Sequence, residues 1–442
     1  MKFITTIRNI FSIEELRDKI FNTIFYIIIF RVGSFILLPG LDFIKIPDGS
    51  AGNPLLDLLN NFAGGAFNRK TIFSLGIMPY ITASIVIQLL TVAVPFFQKL
   101  QKDGESGRRK ISKYTKLLTI AVCLIQSRGF LLTVEDGWLL DNYPSKAFFI
   151  FTSMVILTSG SMFCVWLGDK ITEKGIGNGV SLLIMVGIVS RFIPGVVKEF
   201  YSQGMSNLLF IFLECVVFFF IIVATVAITQ AIRKVPVNYA KQLVGNRPMN
   251  QGQRDYIPLK IIAAGVMPII FAQSVMFLPA LVAGIWKDTS DTANYIAVEL
   301  SNPDSFAHNA LFVVLIILFT YFYTAITTNP NQIADDLKRN NGFIPGVKPG
   351  ATTASFLDTV MSRLLLPGAI LIALIAVTPV FARISGIKGE FSSFFGGTSL
   401  LIVVGVVLDT LQQIESYLLM QRYEGMMKSG KVKGRQNYSV AG

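Results

Sequence analysis

The sequence predicts an all-α membrane protein: ten transmembrane helices in two inverted five-helix halves. Three observations predict it. Of 442 residues, 52% are hydrophobic and 15% charged, and the mean hydropathy is +0.58. One soluble domain cannot hide that much apolar surface, so the excess must face lipid. Ten apolar runs follow one another along the chain, and ten spans of about 20 residues would take up close to half of it. Finally, one short motif recurs five runs later. A soluble enzyme and a single-anchor protein are both excluded.

The runs fall at about 21–38, 71–97, 117–134, 147–168, 178–195, 207–232, 259–283, 309–328, 364–380 and 398–420. The first follows MKFITTIRNIFSIEELRDKI and lacks a small-residue cleavage pattern, so it reads as a retained span and not a signal peptide. Phe3, Ile7, Ile10, Phe11 and Leu16 lie among Lys and Arg in that leader, which suits a helix on the membrane surface. Between the first and second runs, Pro54 to Phe62 forms a short amphipathic stretch followed by Gly64 and Gly65. It is too short to span, and it suits either a surface loop or a re-entrant segment that stoppers a cavity. GIGNGVS (175–181) reads as a tight turn between the fourth and fifth runs, since no strand precedes it to make a dinucleotide fingerprint.

An even number of runs puts both termini on one side. Of the 39 Lys and Arg, 28 lie on the side of the N-terminus, so that side is cytoplasmic and much of the net charge of +12 is positive-inside charge. The opposite loop from Trp286 to His308 is acidic, with Asp288, Asp291, Glu299 and Asp304 against Lys287. Three cytoplasmic segments, 98–116, 233–260 and 335–363, are longer than orientation requires. Positive-inside charge accounts for their basic residues; their length, Gly and Pro turns and scattered apolar residues also suit docking of a cytosolic partner.

The repeat aligns LGIMPYITAS (75–84) with AGVMPIIFAQ (264–273) at an offset of 189 residues. It matches Gly76 with Gly265, Met78 with Met267, Pro79 with Pro268 and Ile81 with Ile270. Five spans is an odd number, so two such halves run through the membrane in opposite senses, with the functional site where their interrupted helices meet. Each proline is read as breaking or bending its span. The face beside the break, Ile77 and Ile81, is apolar.

The chemistry is narrow. Cys123, Cys164 and Cys215 lie in apolar runs and read as small buried hydrophobes, while His308 reads as solvated with no second His to ligate with. No cofactor is implied. Arg31 and Glu214, with Asp409 and Glu415 near the end of the last run, are the clearest charges within spans. Structural pairing or snorkelling explains each of them. An apolar constriction can gate by dewetting, so a passive pore is favoured over a pump. The alternative is an inverted-repeat secondary transporter of a small solute. A membrane hydrolase lacks a catalytic constellation.

FRVGSFILLPG, FAGGAFNRKTIFSLGIMPYITASIVIQLL, KDGESGRRKISKYTK, WLGDKITEKGIGNG, NYAKQ, FYTAITTNP, FIPGVKPG and FGGTSLLIVVGVVLDT resemble, in order and over essentially the whole chain, the SecY/Sec61-alpha family of protein-translocation channels in its bacterial form. The resemblance implies a passive clamshell channel for unfolded secretory polypeptides, with a lateral gate that releases helices into lipid. Its halves would be 1–200 and 201–420, followed by a cytoplasmic tail 421–442. It places the pore ring on Ile77, Ile81, Ile184, Ile270 and Ile402. The plug falls on about Leu55 to Asn68, including Leu56, Leu58, Leu59, Asn60, Asn61, Phe62, Gly64 and Gly65. Gln88, Gln126, Ser127, Gln273 and Ser274 are the polar residues facing the gate, expected to pair across helices. Partner docking falls on Arg108, Arg109, Lys116, Arg247 and Lys348. The implied partners are SecE and SecG as small membrane subunits, the SecA motor ATPase or the ribosome as the energy source, and signal peptides, nascent chains and lipid. The setting is the bacterial cytoplasmic membrane. Lys116 and Lys348 stand where the family carries arginine, keeping the charge but losing the bidentate fork.

Overall fold

A computed structural model describes residues 13–42, 45, 63–131, 134, 136–140, 145–203, 208–239, 243–244, 247–248, 254–262, 265–285, 299–300, 302, 304–385 and 390–428. The main helices are α1 (Glu14–Gly33), α2 (Met78–Ala93), α3 (Pro95–Lys102), α4 (Gly104–Leu131), α5 (Lys146–Lys174), α6 (Gly179–Gln203), α7 (Leu208–Gln230), α8 (Met267–Ile285), α9 (Phe306–Thr327), α10 (Pro330–Arg339), α11 (Ala351–Ile384) and α12 (Gly397–Lys428). Every apolar run carries a helix. Among the described residues six helices are long and apolar enough to cross a membrane, or seven if α2 and α3, bent by 96° about Val94, count as one span. Several apolar spans make this a multi-pass membrane protein. α4 falls short because its first half is cationic.

Local chemistry sets the helix starts. The side chains of Ser145, Ser305 and Asn329 accept hydrogen bonds from backbone N–H groups at the starts of α5, α9 and α10. Pro79 and Pro268 each stand second in their helices, where a missing N–H costs nothing. The sequence expectation of a proline break within a span is therefore corrected. In both repeats the helix begins at Met-Pro, after a glycine in the left-handed region (Gly76 φ 52°, Gly265 φ 60°). Residues 63–77 before α2 are a series of turns and not helix.

The helices pack in a repeated pattern. α2 packs on α4, α4 on α5 and α5 on α6, and likewise α8 on α9, α9 on α11 and α11 on α12. α1 packs on α5 and α6, as α7 packs on α11 and α12. Between these two sets the main meetings are α2 with α8 and α6 with α12.

The long segments read as loops are largely folded. Residues 98–116 lie in α3 and the first half of α4. In the second segment β1 (Ile232–Tyr239) pairs antiparallel with β4 (Arg254–Lys260), with Val235 opposite Ile257, and the short strands β2 (Leu243–Val244) and β3 (Arg247–Pro248) pair with each other. β1 also pairs with β5 (Gly342–Phe343), so the second and third long segments share one sheet. Its core joins Val235, Val237 and Leu259 to Leu337, Ile344 and Leu357.

Two expectations about single residues are also corrected. His308 is buried at 7% exposure, with Nδ1 2.7 Å from the Leu300 carbonyl and its ring near Phe312. Cys215 is exposed, because α7 keeps most of its surface outward; Cys123 and Cys164 are buried.

Candidate functional site

The five isoleucines come from the first two turns of four helices or from the residue just before one. Ile77 precedes α2, and Ile81 and Ile270 are the fourth residues of α2 and α8. Ile184 and Ile402 are the sixth residues of α6 and α12, each ending a G-x-S-L-L-I start: Gly179 to Ile184 and Gly397 to Ile402. This second internal match is a signal in the sequence that the first repeat overshadows. A left-handed glycine precedes α6 (Gly177, φ 82°) and opens α12 (Gly397, φ 60°), as glycines precede α2 and α8. All five isoleucines are at most 7% exposed and belong to one apolar cluster. The helix pairs that carry them, α2 with α8 and α6 with α12, are the pairs in contact. A seam of this kind offers ions no solvation and a polypeptide no fixed binding group.

Leu55, Leu56, Leu58, Leu59, Asn60, Asn61 and Phe62 lie outside the described residues. The stretch directly after them is buried: Ala63, Ala66 and Phe67 pack with Leu75, Phe130 and Leu157. The Gly64 carbonyl accepts from Arg31 Nη1 of α1 at 3.2 Å and Arg69 Nη2 at 3.5 Å, and the Arg31 and Arg69 guanidinium groups lie 5.3 and 4.3 Å from the Phe35 ring. Arg31 is thus tied to this turn. Gly64 has φ 63°, and a Cβ there would lie 3.0 Å from the Gly187 Cα and 3.1 Å from Ser190 Oγ of α6. Lys70 is 4% exposed, with Nζ 4.9 and 4.7 Å from the Phe67 and Phe130 rings, and burial pushes its pKa down to about 8.

The gate residues lie on α2, α4 and α8, but the hydrogen bonds seen for them run within their own helices. Gln88 donates to Ser84 Oγ (3.4 Å), Ser127 to the Leu124 carbonyl (2.9 Å) and Ser274 to the Ile270 carbonyl (2.9 Å). Gln126 is half-buried. Gln273 Oε1 is buried without a hydrogen-bond partner among the described residues. Pairing across helices is not what these side chains display.

The docking residues are spread over three places. Arg108 and Arg109 are exposed on α4, with Arg109 held by Glu105 at 2.7 Å. Lys116 is not in a loop: its ammonium pairs with Asp169 of α5 at 2.6 Å. Lys348 is exposed in the turn before α11, beside a groove of about 600 Å³ lined by Val347, Thr352, Ser355, Phe356 and Thr359. Arg247 lies in β3. Among the described residues no group of three or more His, Cys, Asp or Glu could hold a metal ion.

The SecY family model matches residues 71–411. A protein translocase subunit SecY of Chlamydia muridarum is 39% identical over 98% of this chain and all of that protein. A solved protein-conducting channel superposes with a TM-score of 0.65 at 16% identity, covering 95% of each chain. Sec61 from a canine ribosome-channel complex of the endoplasmic reticulum superposes with a TM-score of 0.61 at 16% identity, over 95% of each chain.

Proposed function

The chain belongs to the SecY family, and we propose accordingly that it is the central channel subunit of a protein translocase, passing unfolded secretory polypeptides through the membrane and releasing membrane helices sideways into lipid. One observation carries the reading: isoleucines from the starts of two equivalent helix pairs converge in one buried apolar cluster. Ile77, Ile81, Ile184, Ile270 and Ile402 act as a gasket. Bulky apolar side chains close around a chain of changing width and give ions nothing to replace water.

Ten spans in two inverted halves, 1–200 and 201–420, with a cytoplasmic tail 421–442, form the channel. The repeated neighbour pattern of α1 to α6 and α7 to α12 supports this. The segment from about Leu55 to Asn68 is the plug, rooted at Gly64 by Arg31 and Arg69. The lateral gate is the seam of α2 and α4 against α8 and α9, with Gln88, Gln126, Ser127, Gln273 and Ser274 near it. Among the described residues no cross-helix hydrogen bond is made by these side chains, and such a seam costs little to part.

The channel is passive, and its energy comes from a SecA motor or the ribosome, docked on the joint sheet of β1, β4 and β5, on the Lys348 turn, and on Arg108, Arg109 and Arg247. Lys116, already paired, serves to hold α4 to α5. SecE and SecG complete the complex in a bacterial cytoplasmic membrane, both termini facing the cytoplasm. Purification in mild detergent with its bound subunits, followed by reconstitution, tests the reading. Motor- or ribosome-dependent, protease-protected import of a signal-bearing polypeptide is the expected result. Gradient-driven uptake of a small solute by the chain alone would overturn it.

A further inference from the structure

α2 does not run straight on beyond Ala93. Pro95 has no N–H to offer the Thr91 carbonyl, the chain bends by 96° at Val94, and α3 leaves across the axis of the span. Gln98 Nε2 donates to the Val92 carbonyl at 2.5 Å and satisfies an acceptor at the bend. α3 is folded tightly on α4: a Cβ at Gly107 would lie 1.7 Å from the Leu100 carbonyl oxygen, so the two come this close only because no side chain intervenes.

α3 is also amphipathic. At about 100° per residue, Phe96, Phe97 and Leu100 share one arc, and Gln98, Lys99, Gln101 and Lys102 take the remainder. Leu100 is buried in the elbow, but Phe96 is 55% exposed. Phe96 and Phe97 lie 5.3 Å apart between ring centres and reach Tyr114 of α4 at 6.5 and 5.9 Å, all edge to face. Tyr114 is itself 42% exposed, so the three rings form an outward patch, with Lys99, Lys102 and Lys113 exposed on the same two helices. Across residues 95–114 six cations stand against two carboxylates.

Two rulers give the depth of this patch. With Ile81 near the midplane, as the channel reading has it, the twelve residues from Ile81 to Ala93 rise about 18 Å. The hydrocarbon ends about 15 Å from the midplane and the headgroups about 20–22 Å from it. The second ruler does not depend on the ring. Leu117, 67% exposed, begins the apolar part of α4, and Tyr114 lies only about 4.5 Å before it along the axis. Both place the aromatic patch in the headgroup layer, where aromatic rings and the stems of lysines are at home.

We propose that α3 is an interfacial anchor: Phe96, Phe97 and Tyr114 sit among the headgroups of the cytoplasmic leaflet, and Lys99, Lys102 and Lys113 take anionic phospholipid headgroups around them. A short amphipathic helix with cations on its polar side binds such a surface. The anchor fixes the inner end of α2, and with it the depth of Ile77 and Ile81, to the bilayer surface.

The test uses the full chain with its co-purified subunits in lipid vesicles. Phe96→Cys, Lys102→Cys and Leu117→Cys each carry a nitroxide, one at a time, in a Cys215→Ser background, since the other two cysteines are buried. Collisions with oxygen report hydrocarbon, and collisions with a water-soluble nickel chelate report water. In vesicles containing phosphatidylglycerol, the label at 117 is expected in hydrocarbon, the label at 102 in water, and the label at 96 shielded from the chelate at a depth between them. In phosphatidylcholine alone the label at 96 should lie shallower. Lys99→Gln and Lys113→Gln should each lower its shielded-to-exposed ratio about fivefold in the anionic vesicles and leave it unchanged in phosphatidylcholine. Oxygen contact at 117 shows in every variant that the chain is inserted. A label at 96 as open to the chelate as that at 102 would overturn the anchor, as would equal depth in the two lipids or in the Gln variants. Shielding that appears only when a motor or ribosome is added would assign the patch to a protein partner and overturn it too. No readout needs conduction, so a failed channel reading leaves the depth at 96 decisive.

Discussion

Replacing Ile81 or Ile270 by Asn probes the gasket where its two equivalent helices meet. Both side chains are almost fully buried in the sealed state, at 7% and 3% exposure. In an open, hydrated pore each would face water. The Ile therefore favours the sealed state by about 2 kcal/mol of burial, and an Asn amide without a partner in the same place disfavours it by about 1–3 kcal/mol. Each substitution thus shifts the balance toward the open pore by about 3–5 kcal/mol. At 1.4 kcal/mol per tenfold, that is about 10² to 4 × 10³ in the closed-to-open ratio. The assay is ion flux from sealed vesicles before and after a signal peptide is added, on protein whose size-exclusion profile matches the wild type. Resting leak should rise, and polypeptides with weakened signal sequences should pass. Ile81→Val removes one methylene for about 1 kcal/mol and should shift the ratio less than tenfold. A folded, inserted Asn variant with wild-type leak and wild-type signal stringency would refute the gasket.

The same geometry sets further outcomes. Gly64→Val adds a β-branched side chain at φ 63° against the Gly187 backbone, at a cost of at least about 1–2 kcal/mol; it should displace the root of the plug and raise resting leak, and no change would separate Gly64 from the seal. Lys348→Glu, at an exposed turn, should weaken motor- or ribosome-dependent import several-fold with expression and basal conductance intact, and normal import would remove Lys348 from the docking surface. Lys70 has a folded pKa near 8, below its ordinary 10.5. The unfolded state therefore holds more protons between those values, and stability rises as pH climbs from about 8 toward 10.5, with the full burial penalty present below 8. Protease resistance of the 63–77 turns should grow over that window, and Lys70→Met should flatten the profile.

Much of this is legible in the chain. The offset of 189 residues identifies Gly76 with Gly265 and Ile81 with Ile270, because a left-handed glycine before a Met-Pro helix start leaves a strong local signature. The matching S-L-L-I of α6 and α12 is equally visible, but its offset differs from the first and hides the correspondence. The sheet is less legible. Val235 and Val237 alternate as a half-buried strand should, yet Pro236 between them and the charge around them read as loop, and the pairing of β1 with β5 is a contact over about a hundred residues. α4 begins at Gly104, well before its apolar run, so Lys116 falls in an apparent loop when it lies on a helix facing Asp169. His308 reads as solvated from its polar neighbours, and its contact with the Leu300 carbonyl, eight residues away, leaves no sequence pattern. Thr23 and Gln413 give no signal, since the N–H groups of Ile176 and Gly177 that they accept from lie in a turn distant from both in sequence.

Whether the isoleucine cluster surrounds a moving polypeptide is decided by arresting a signal-bearing chain in the reconstituted complex with a folded domain at its far end. A photo-crosslinking residue is placed in turn at positions 81, 270 and 402 and at Phe212, which is 68% exposed on α7. A polypeptide-conducting gasket predicts that the arrested chain crosslinks at 81, 270 and 402 and that position 212 yields lipid adducts only. Crosslinks of equal yield at Phe212, or none at the three isoleucine positions while the chain is protected from protease, would contradict it.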